Sequence, residues 1–185
     1  MTGLAAITNG VIGEDTFVNT KHTDQVAAEG PRAESRGKSA LEQARPVLAK
    51  LPLLGPIGWL FAHHPAKRYL FLGDIDWAVM PPLVLDQCKL YMQGEAPFAY
   101  LSWAFVNDEV QARLAGGQLR LAPHEWKCGE NLWLIDVVAP FGKVDDLIRE
   151  LREKVFPTRP IKCLAPDPEG KGLRVTEWPA IASSQ

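Results

Sequence analysis

An acidic residue, Asp136, interrupts an apolar run rich in β-branched residues, WLIDVVAPFG (residues 133–142). A carboxylate is costly to bury unless it receives hydrogen bonds or a cationic partner, and without them its pKa shifts. A buried acid of this kind either orients a catalytic group or anchors a structural polar network. The segment alone leaves both interpretations open, so the rest of the chain has to decide between them.

Composition limits the class of protein. The chain has 185 residues, enough for one domain and a tail, and its net charge of -2 provides no basic field that would indicate a nucleic-acid partner. No apolar run approaches the ~20 residues of a membrane span. The three cysteines, Cys88, Cys128 and Cys163, form no C-x-x-C pair. We expect free thiols in a reducing cytoplasm, with neither a disulfide framework nor a metal site.

The first 38 residues differ from the rest of the chain. They are polar and show little periodicity, which predicts a disordered N-terminal extension over residues 1–38. The folded domain is predicted for residues 39–185. It begins with a helix from about Ser39 to Lys50, because Ser39 is followed three residues later by Glu42, the pattern of a capped helix start.

Hydrophobic patterning predicts the elements of this domain. Residues 89–93 and 97–105 flank a turn at Gly94 and Glu95, which indicates a β-hairpin. Residues 144–155 form the clearest amphipathic helix. Its predicted apolar face consists of Val144, Leu147, Ile148, Leu151 and Val155. The further elements are an apolar helix that ends at His63 and His64, a helix over 107–114 with Asn107 as its N-cap, and strands over 132–138, 161–164 and 173–178. This order predicts one α/β (α+β) domain around a mostly antiparallel sheet flanked by helices.

Four segments resemble the RTX toxin-activating lysine acyltransferases, the haemolysin-activating family. LGPIGWLFAHHPAKR (54–68) is similar to the family pattern L-G-x-x-x-W-L-W-x-x-S-P-x-H-R, and PFAYLSWA (97–104) is similar to P-V-A-Y-C-S-W-A. WKCGENLWLIDVVAPFG (126–142) resembles W-x-C/S-G-D-R-x-W-x-I-D-W-I-A-P-F, and a helix leading to Phe156 and Pro157 follows. The segments keep the family order and spacing across about residues 53–178.

The resemblance implies a function. Members of this family move a fatty acyl group from acyl-acyl carrier protein to the ε-amine of internal lysines in an RTX protoxin and so activate it. The donor is a protein-bound thioester, so no bound cofactor is implied. The implied partners are acyl carrier protein, the protoxin and a second copy of the chain in a homodimer. The implied fold is a GNAT-like acyltransferase domain, and the implied compartment is the cytoplasm.

The resemblance also implies a catalytic pair, the His of S-P-x-H-R and the Asp of the third segment. Asp136 matches the Asp, but Lys67 stands at the His position and is followed by the matching Arg68. His64 stands where the family often has Ser, and His63 precedes it. A target lysine, with a reference pKa of about 10.4, must lose a proton before it attacks a thioester, and a histidine is a suitable base.

Three interpretations of these residues stay open. His64 or His63 acts as a displaced base; Lys67 acts instead, for which strong desolvation would have to lower its pKa; or the two histidines only cap the C-terminus of the apolar helix. Pro65 pushes His64 toward extended geometry, so His64 need not point where the family His points. Ser102 has no adjacent histidine, so it is not predicted as a nucleophile.

Two other functions compete with toxin activation. A family-like domain that lacks its base would serve as a binding module for carrier protein or toxin. A CoA-dependent GNAT-type acetyltransferase would need a pyrophosphate loop, and the segment RLAGGQ (113–118) resembles one only in part. Its glycines follow a helix instead of preceding one, so a helix C-cap is predicted. Arg149, Arg152 and Lys154 form a basic helix edge, either a solvated face or a patch for an acidic carrier protein.

Overall fold

The computed structural model describes residues 42, 44–167, 169–170 and 172–181. The predicted disordered extension, residues 1–38, lies outside this part of the chain and stays a prediction. Of the helix predicted from Ser39 to Lys50, residues 44–48 are helical and residues 49–50 form a turn, while its expected start lies outside the described residues. Within the described part, every helix is too short or too polar to cross a membrane.

Short helices lead into the sheet. They are α1 (Leu54–His63), α2 (Ile75–Ala78) and α3 (Met80–Val84). Pro81 and Pro82 lie in the first turn of α3, where their missing N–H groups cost no intrahelical hydrogen bond. The apolar stretch around them therefore forms two short helices instead of one continuous helix. The apolar helix predicted to end at the two histidines is α1, and this prediction is confirmed.

A sheet of five strands forms the centre of the domain, in the order β1-β2-β3-β4-β5. The strands are β1 (Cys88–Gln93), β2 (Ala96–Val106), β3 (Asn131–Val138), β4 (Ile161–Pro166) and β5 (Leu173–Trp178). Neighbouring strands are antiparallel except β3 and β4, which are parallel. The prediction of a mixed α/β domain with a mostly antiparallel sheet is confirmed. The predicted hairpin is confirmed as well, since Gly94, at φ 62°, turns β1 into β2.

Helices also connect the strands. α4 (Asp108–Ala115) follows β2, and its cap is the predicted one, because Asn107 Oδ1 accepts the Val110 N–H at 2.9 Å. α5 (Val144–Glu150) and the π-helical turn Leu151–Val155 carry the chain from β3 to β4. A parallel pair needs such a crossover, because its second strand must start at the same end as the first.

The amphipathic helix differs from its prediction at both ends. Leu147, Ile148 and Leu151 are buried, but Val144 and Val155 are each 37% exposed. The α-helix stops at Glu150, and the Phe156 N–H bonds to the Leu151 carbonyl, which is the i to i+5 pattern of a π turn. This wider turn rotates the last residues away from the shared apolar face.

The two faces of the sheet carry different layers. α5 covers one face, where Leu147 and Ile148 pack in one core cluster with Leu101 and Leu134 of the central strands. α1, α2 and α3 cover the other face, where Ile57 and Leu60 pack with Tyr100 and Val138. The face on which a strand residue lies therefore decides whether it meets α5 or the α1–α3 layer.

Candidate active site

A β-bulge in β3 determines where Asp136 points. Ser102 lies opposite Asp136, whereas Trp103 lies opposite Leu134, so Ile135 is an extra residue in β3. Side chains alternate between the faces of a regular strand, and one extra residue reverses the alternation beyond it. Without the bulge, Asp136 would share the face of Leu134 in the apolar core under α5. With the bulge, it turns toward the α1–α3 layer and lines a cavity together with Ile135.

Asp136 has both kinds of partner that a buried carboxylate requires. It is 4% exposed. The Ser102 hydroxyl donates a hydrogen bond to its Oδ2 at 2.8 Å, and the Lys67 ammonium forms an ion pair with its Oδ1. The Lys67 side chain is 32% exposed, so the pair reaches from the interior to the surface. Each oxygen of the buried carboxylate therefore has a partner, one hydroxyl and one ammonium.

Two further ionisable side chains, Tyr100 and Cys88, lie near the Lys67–Asp136 ion pair and do not titrate near neutral pH. Tyr100 is fully buried, and burial raises its pKa well above the ordinary value. Burial also raises the pKa of Cys88, which lies opposite Ser102 in β1, to about 11. Cys88 is therefore a thiol at neutral pH and not a nucleophilic thiolate.

His64 lies in the turn after α1. Its backbone is extended at ψ 127°, as predicted for a residue before proline. Its Nδ1 accepts the Ala66 N–H at 3.3 Å, so a neutral His64 carries its proton on Nε2. Burial, and then the nearby Lys67 charge, lower the pKa of His64. The ring is therefore neutral at neutral pH, and its exposed nitrogen is a donor.

His63 is the last residue of α1 and is exposed. Its Nδ1 donates to the Trp59 carbonyl at 2.8 Å, and its ring centroid lies 4.2 Å from that of Trp59. This is the contact that helix capping predicts, since the last carbonyls of a helix have no intrahelical partner. It leaves Nε2 as a free acceptor at the surface.

Two cavities adjoin Lys67 among the described residues. The first, the loop cavity, has a volume of about 210 Å³ and lies between α1 and the chain that follows it. It is lined by Gly58, Phe61, Ala62, Lys67, Arg68, Leu70, Phe71, Leu72, Asp74, Ile75 and Val79. The second, the sheet cavity, has a volume of about 90 Å³. It is lined by Lys67, Trp77, Ala78, Leu119, Arg120, Trp126, Ile135 and Asp136.

The sheet cavity contains the polar groups of the site. Asp136 and Lys67 line it, and Arg120 lies over the Trp77 ring at 4.8 Å from the ring centroid. Trp126 is 1% exposed, and its indole N–H is buried with no partner in the described part of the chain. A buried donor without a partner is costly, and this one is enclosed by its protein neighbours and does not reach the cavity surface.

The structure brings some predicted residues together and adds others. Asp136 and Lys67 are in contact, and His64 is close enough for both of their charges to influence its pKa. His63 instead faces Trp59. Ser102, which was not predicted as a site residue, is the partner of Asp136. The signal that could have indicated it is the register of the second and third sequence segments, which pair as β2 and β3.

The glycine-rich segment after α4 ends a helix, as predicted. Gly116 caps α4, and Gly117 has φ 92°. Arg113 pairs with Glu125 at 2.8 Å instead of facing a phosphate site. This segment therefore has the geometry of a helix C-terminus and not that of a loop that binds pyrophosphate.

The domain is a mixed α/β fold in which a buried aspartate pairs with a lysine that borders two cavities. The sequence matches the RTX toxin acyltransferase family over residues 47–179, and the chain belongs to this family. The match covers the helices, the sheet and every residue of the site.

Individual relatives agree with this assignment. The chain is 29% identical over 126 residues to the RTX-I toxin-activating lysine-acyltransferase ApxIC of Actinobacillus pleuropneumoniae, covering 68% of this chain and 73% of the relative. It is 30% identical over 128 residues to the protein-lysine myristoyltransferase HlyC of Escherichia coli, covering 69% and 75%. It is also 30% identical over 132 residues to the protein sll0720 of Synechocystis sp., covering 69% and 89%.

Proposed function

We propose that this protein transfers a fatty acyl chain from acyl-acyl carrier protein to internal lysines of an RTX protoxin and thereby activates it. One observation carries the proposal: within a chain of the RTX toxin acyltransferase family, a buried aspartate and a lysine form an ion pair where two cavities meet. Two substrates have to meet at such a site, the thioester and the target amine.

The reaction needs few groups. The neutral amine of the target lysine attacks the thioester carbonyl carbon, the C–N bond forms and the C–S bond breaks. The proton lost by the amine ends on the departing thiolate. The site has to hold the amine, stabilise negative charge on the carbonyl oxygen and exclude water.

We assign the charge stabilisation to Lys67. Its ammonium is held by Asp136 and borders both cavities, so it is placed beside a carbonyl that lies between them. A fixed cation in a partly buried site stabilises a developing oxyanion without reorganisation. Asp136 is then a positioning residue, and Ser102 in turn fixes Asp136.

We assign a proton-transfer role to His64 and none to His63. Neutral His64 lies close to Lys67 and Asp136. Its proposed role is to take the proton of the attacking amine on Nδ1, which requires release of the Ala66 N–H held there at 3.3 Å, and to give the Nε2 proton to the departing thiolate. The ring then passes through the imidazolium and returns to the neutral form. The free nitrogen of His63 belongs instead to the exposed Trp59 surface.

The donor is proposed to be the carrier-protein thioester and not acyl-CoA. The glycine-rich segment with the closest resemblance to a pyrophosphate loop ends α4. The predicted basic edge, Arg149, Arg152 and Lys154, is a poor carrier site because each cation already has a partner. Arg149 pairs with Asp146 at 2.5 Å, Lys154 pairs with Glu150 at 3.6 Å, and Arg152 donates to the Pro179 carbonyl at 3.1 Å. Arg68 lines the loop cavity, is exposed and forms no ion pair in the described part of the chain, so we assign carrier recognition to it.

The test is a transfer assay with purified protein, an RTX protoxin and a labelled acyl donor, presented either on carrier protein or on CoA. We expect amide-linked label on protoxin lysines, with transfer from the carrier at least tenfold faster. Equal transfer from acyl-CoA would contradict the assigned donor, and the absence of transfer from either donor would contradict the enzyme.

A second candidate function is a binding module that has lost its catalytic base. The observation that favours it is the ion pair itself, because the Lys67 ammonium occupies the Asp136 oxygen to which a base would otherwise bond. Such a protein would bind carrier protein or protoxin with ordinary affinity and transfer no acyl group, so the same assay combined with a binding measurement separates the two candidates.

A further inference from the structure

We propose that the loop cavity binds the acyl chain, with its methylenes between α1 and residues 70–72 and its carbonyl at Lys67. The inference rests on the proposed function, because it names the part of the site that holds the fatty substrate. The cavity is lined mostly by aliphatic and aromatic side chains, among them Phe61, Leu70 and Ile75. A saturated chain is the ligand that such a lining accepts without leaving polar groups unpaired.

The position of the loop cavity determines the orientation of the acyl chain, because Lys67 marks the end at which the carbonyl lies. Lys67 lines both the loop cavity and the sheet cavity, and its ammonium lies on Asp136. A chain in the loop cavity therefore carries its carbonyl toward the ion pair, and an amine in the sheet cavity meets that carbonyl. Lys67 is the residue that the apolar lining shares with the polar site, so a carbonyl held at its ammonium lies beside both cavities.

The rim of the cavity is unusually exposed. Phe71 is 80% exposed and Leu72 is 85% exposed, although both line the cavity. Large apolar side chains this exposed are unfavourable in water and mark surfaces that a ligand covers. A bound acyl chain would remove part of both side chains from water, which gives the rim a physical reason to be apolar.

Gly58 of α1 makes the cavity possible. It lines the cavity, and no atom lies within 4 Å of the position that its Cβ would occupy. Glycine is a poor helix former, so a helix gains from replacing it unless the space is needed. Gly58 is exposed, so a large side chain added there is expected to reach over the cavity and compete with the ligand without disturbing the core.

The test measures binding without chemistry. The full-length protein is titrated calorimetrically with octanoate, decanoate and dodecanoate, whose carboxylate stands in for the thioester carbonyl at Lys67. We expect the affinity to rise about fourfold for each added methylene until the cavity is full. Gly58→Leu should weaken dodecanoate binding at least tenfold, whereas Gly58→Ala, which adds one methyl group, should change it less than threefold.

The rim supplies a matched pair of variants. Phe71→Ser should weaken dodecanoate binding severalfold, whereas Tyr69→Ser should not, because Tyr69 is 74% exposed in the same loop but does not line the cavity. All of these side chains are exposed, so the melting temperature should stay the same. Circular dichroism of each variant checks that the fold is kept.

The outcomes separate this site from the proposed function. Dodecanoate binding that Gly58→Leu leaves unchanged, or affinity independent of chain length, would overturn the site even if acyl transfer proceeds normally. Binding that follows the predicted pattern in a protein that transfers nothing would support the site and overturn the enzyme. If Gly58→Leu blocked protoxin binding but not dodecanoate binding, the cavity would belong to a polypeptide segment, and the acyl-chain assignment would be wrong.

Discussion

Ser102 and Asp136 lie opposite each other on β2 and β3, and the Ser102 hydroxyl donates to Asp136 Oδ2 at 2.8 Å. Ser102 is fully buried and Asp136 is 4% exposed, so this hydrogen bond fixes the carboxylate in the interior while its other oxygen holds Lys67. The serine therefore acts through the aspartate, which in turn places the cation at the meeting point of the cavities.

Asp136→Asn should abolish most transfer without unfolding the protein. The amide keeps the shape and one acceptor for Ser102, but it removes the charge that holds Lys67. Loss of a proton-transfer or charge-positioning group costs about 100- to 10,000-fold in rate. Acyl transfer to the protoxin is the measurement, and Asp146→Asn, an exposed acid on α5, is the control. A well-folded Asp136→Asn protein with full activity would eliminate the proposed site.

The sequence alone predicted much of the fold because local patterns determine it. The turn at Gly94, the cap at Asn107 and the apolar helix before Pro65 each carry their own signal and form as predicted. The π turn at Leu151 has no such signal, because its heptad-like apolar pattern continues past Glu150. Tertiary packing on the sheet decided where the α-helix stops.

The candidate site was predictable only in part. The need of Asp136 for a partner follows from its apolar neighbours, but the identity of the partner does not. Lys67 is 69 residues away in the chain, and the bulge at Ile135 decides which face Asp136 takes. A regular strand would have turned the same carboxylate into the core under α5. Register between distant strands is a property of the assembled sheet and not of either segment.

Gly129→Ala should destabilise the domain. A Cβ at this position would overlap the backbone of Asn107 and Val106, and the Gly129 N–H donates to the Phe105 carbonyl at 3.0 Å, so the chain cannot easily move away. Forced overpacking of this kind costs about 2 kcal/mol. Thermal unfolding measures the loss. Gly73→Ala, where no atom lies within 4 Å of the added Cβ, should melt like the parent protein, and equal melting of both variants would contradict the prediction.

His64 should make the protein less stable in mild acid. Its pKa is lowered in the folded state, chiefly by burial, from the ordinary value of 6.5. The unfolded chain then binds a proton more readily, so the contribution of His64 is fully present above pH 6.5 and is lost as the pH falls through the lowered pKa. We expect His64→Gln to flatten the decline of melting temperature below pH 6.5. If the melting temperature of His64→Gln fell with pH as steeply as that of the parent protein, the prediction would be wrong. His124→Gln is the control, because His124 is an exposed histidine.

Arg68→Glu should weaken the use of the carrier-protein donor. An acidic carrier is attracted by an unpaired cation beside the cavity and repelled by a glutamate there, and the effect should shrink at high salt. We expect a raised KM for acyl-acyl carrier protein with little change in kcat. Arg149→Glu serves as the matched control because Arg149 already pairs with Asp146 on α5. If Arg149→Glu caused the larger increase in KM, the carrier would dock on α5.

Substitutions of Lys67 decide between the enzyme and the binding module. If the Lys67 ammonium stabilises the oxyanion, Lys67→Ala should lose most activity, and Lys67→Arg should keep part of it because the charge remains near Asp136. If Lys67 instead blocks a site that has lost its base, Lys67→His should raise transfer above that of the parent protein. A second variant, His64→Ala, tests the proton-transfer role of His64. We expect this substitution to slow transfer about 100-fold or more.

The control is Lys50→Ala, because Lys50 forms a comparable ion pair with Asp86 outside the site. Each variant is assayed for acyl transfer and for protoxin binding, so that loss of chemistry is distinguished from loss of the partner. Lys67→Ala with normal binding and no transfer supports a catalytic role for the lysine. Lys67→Ala with undiminished transfer would show that the ion pair with Asp136 serves the fold and that the charge on the thioester oxygen is stabilised by other groups.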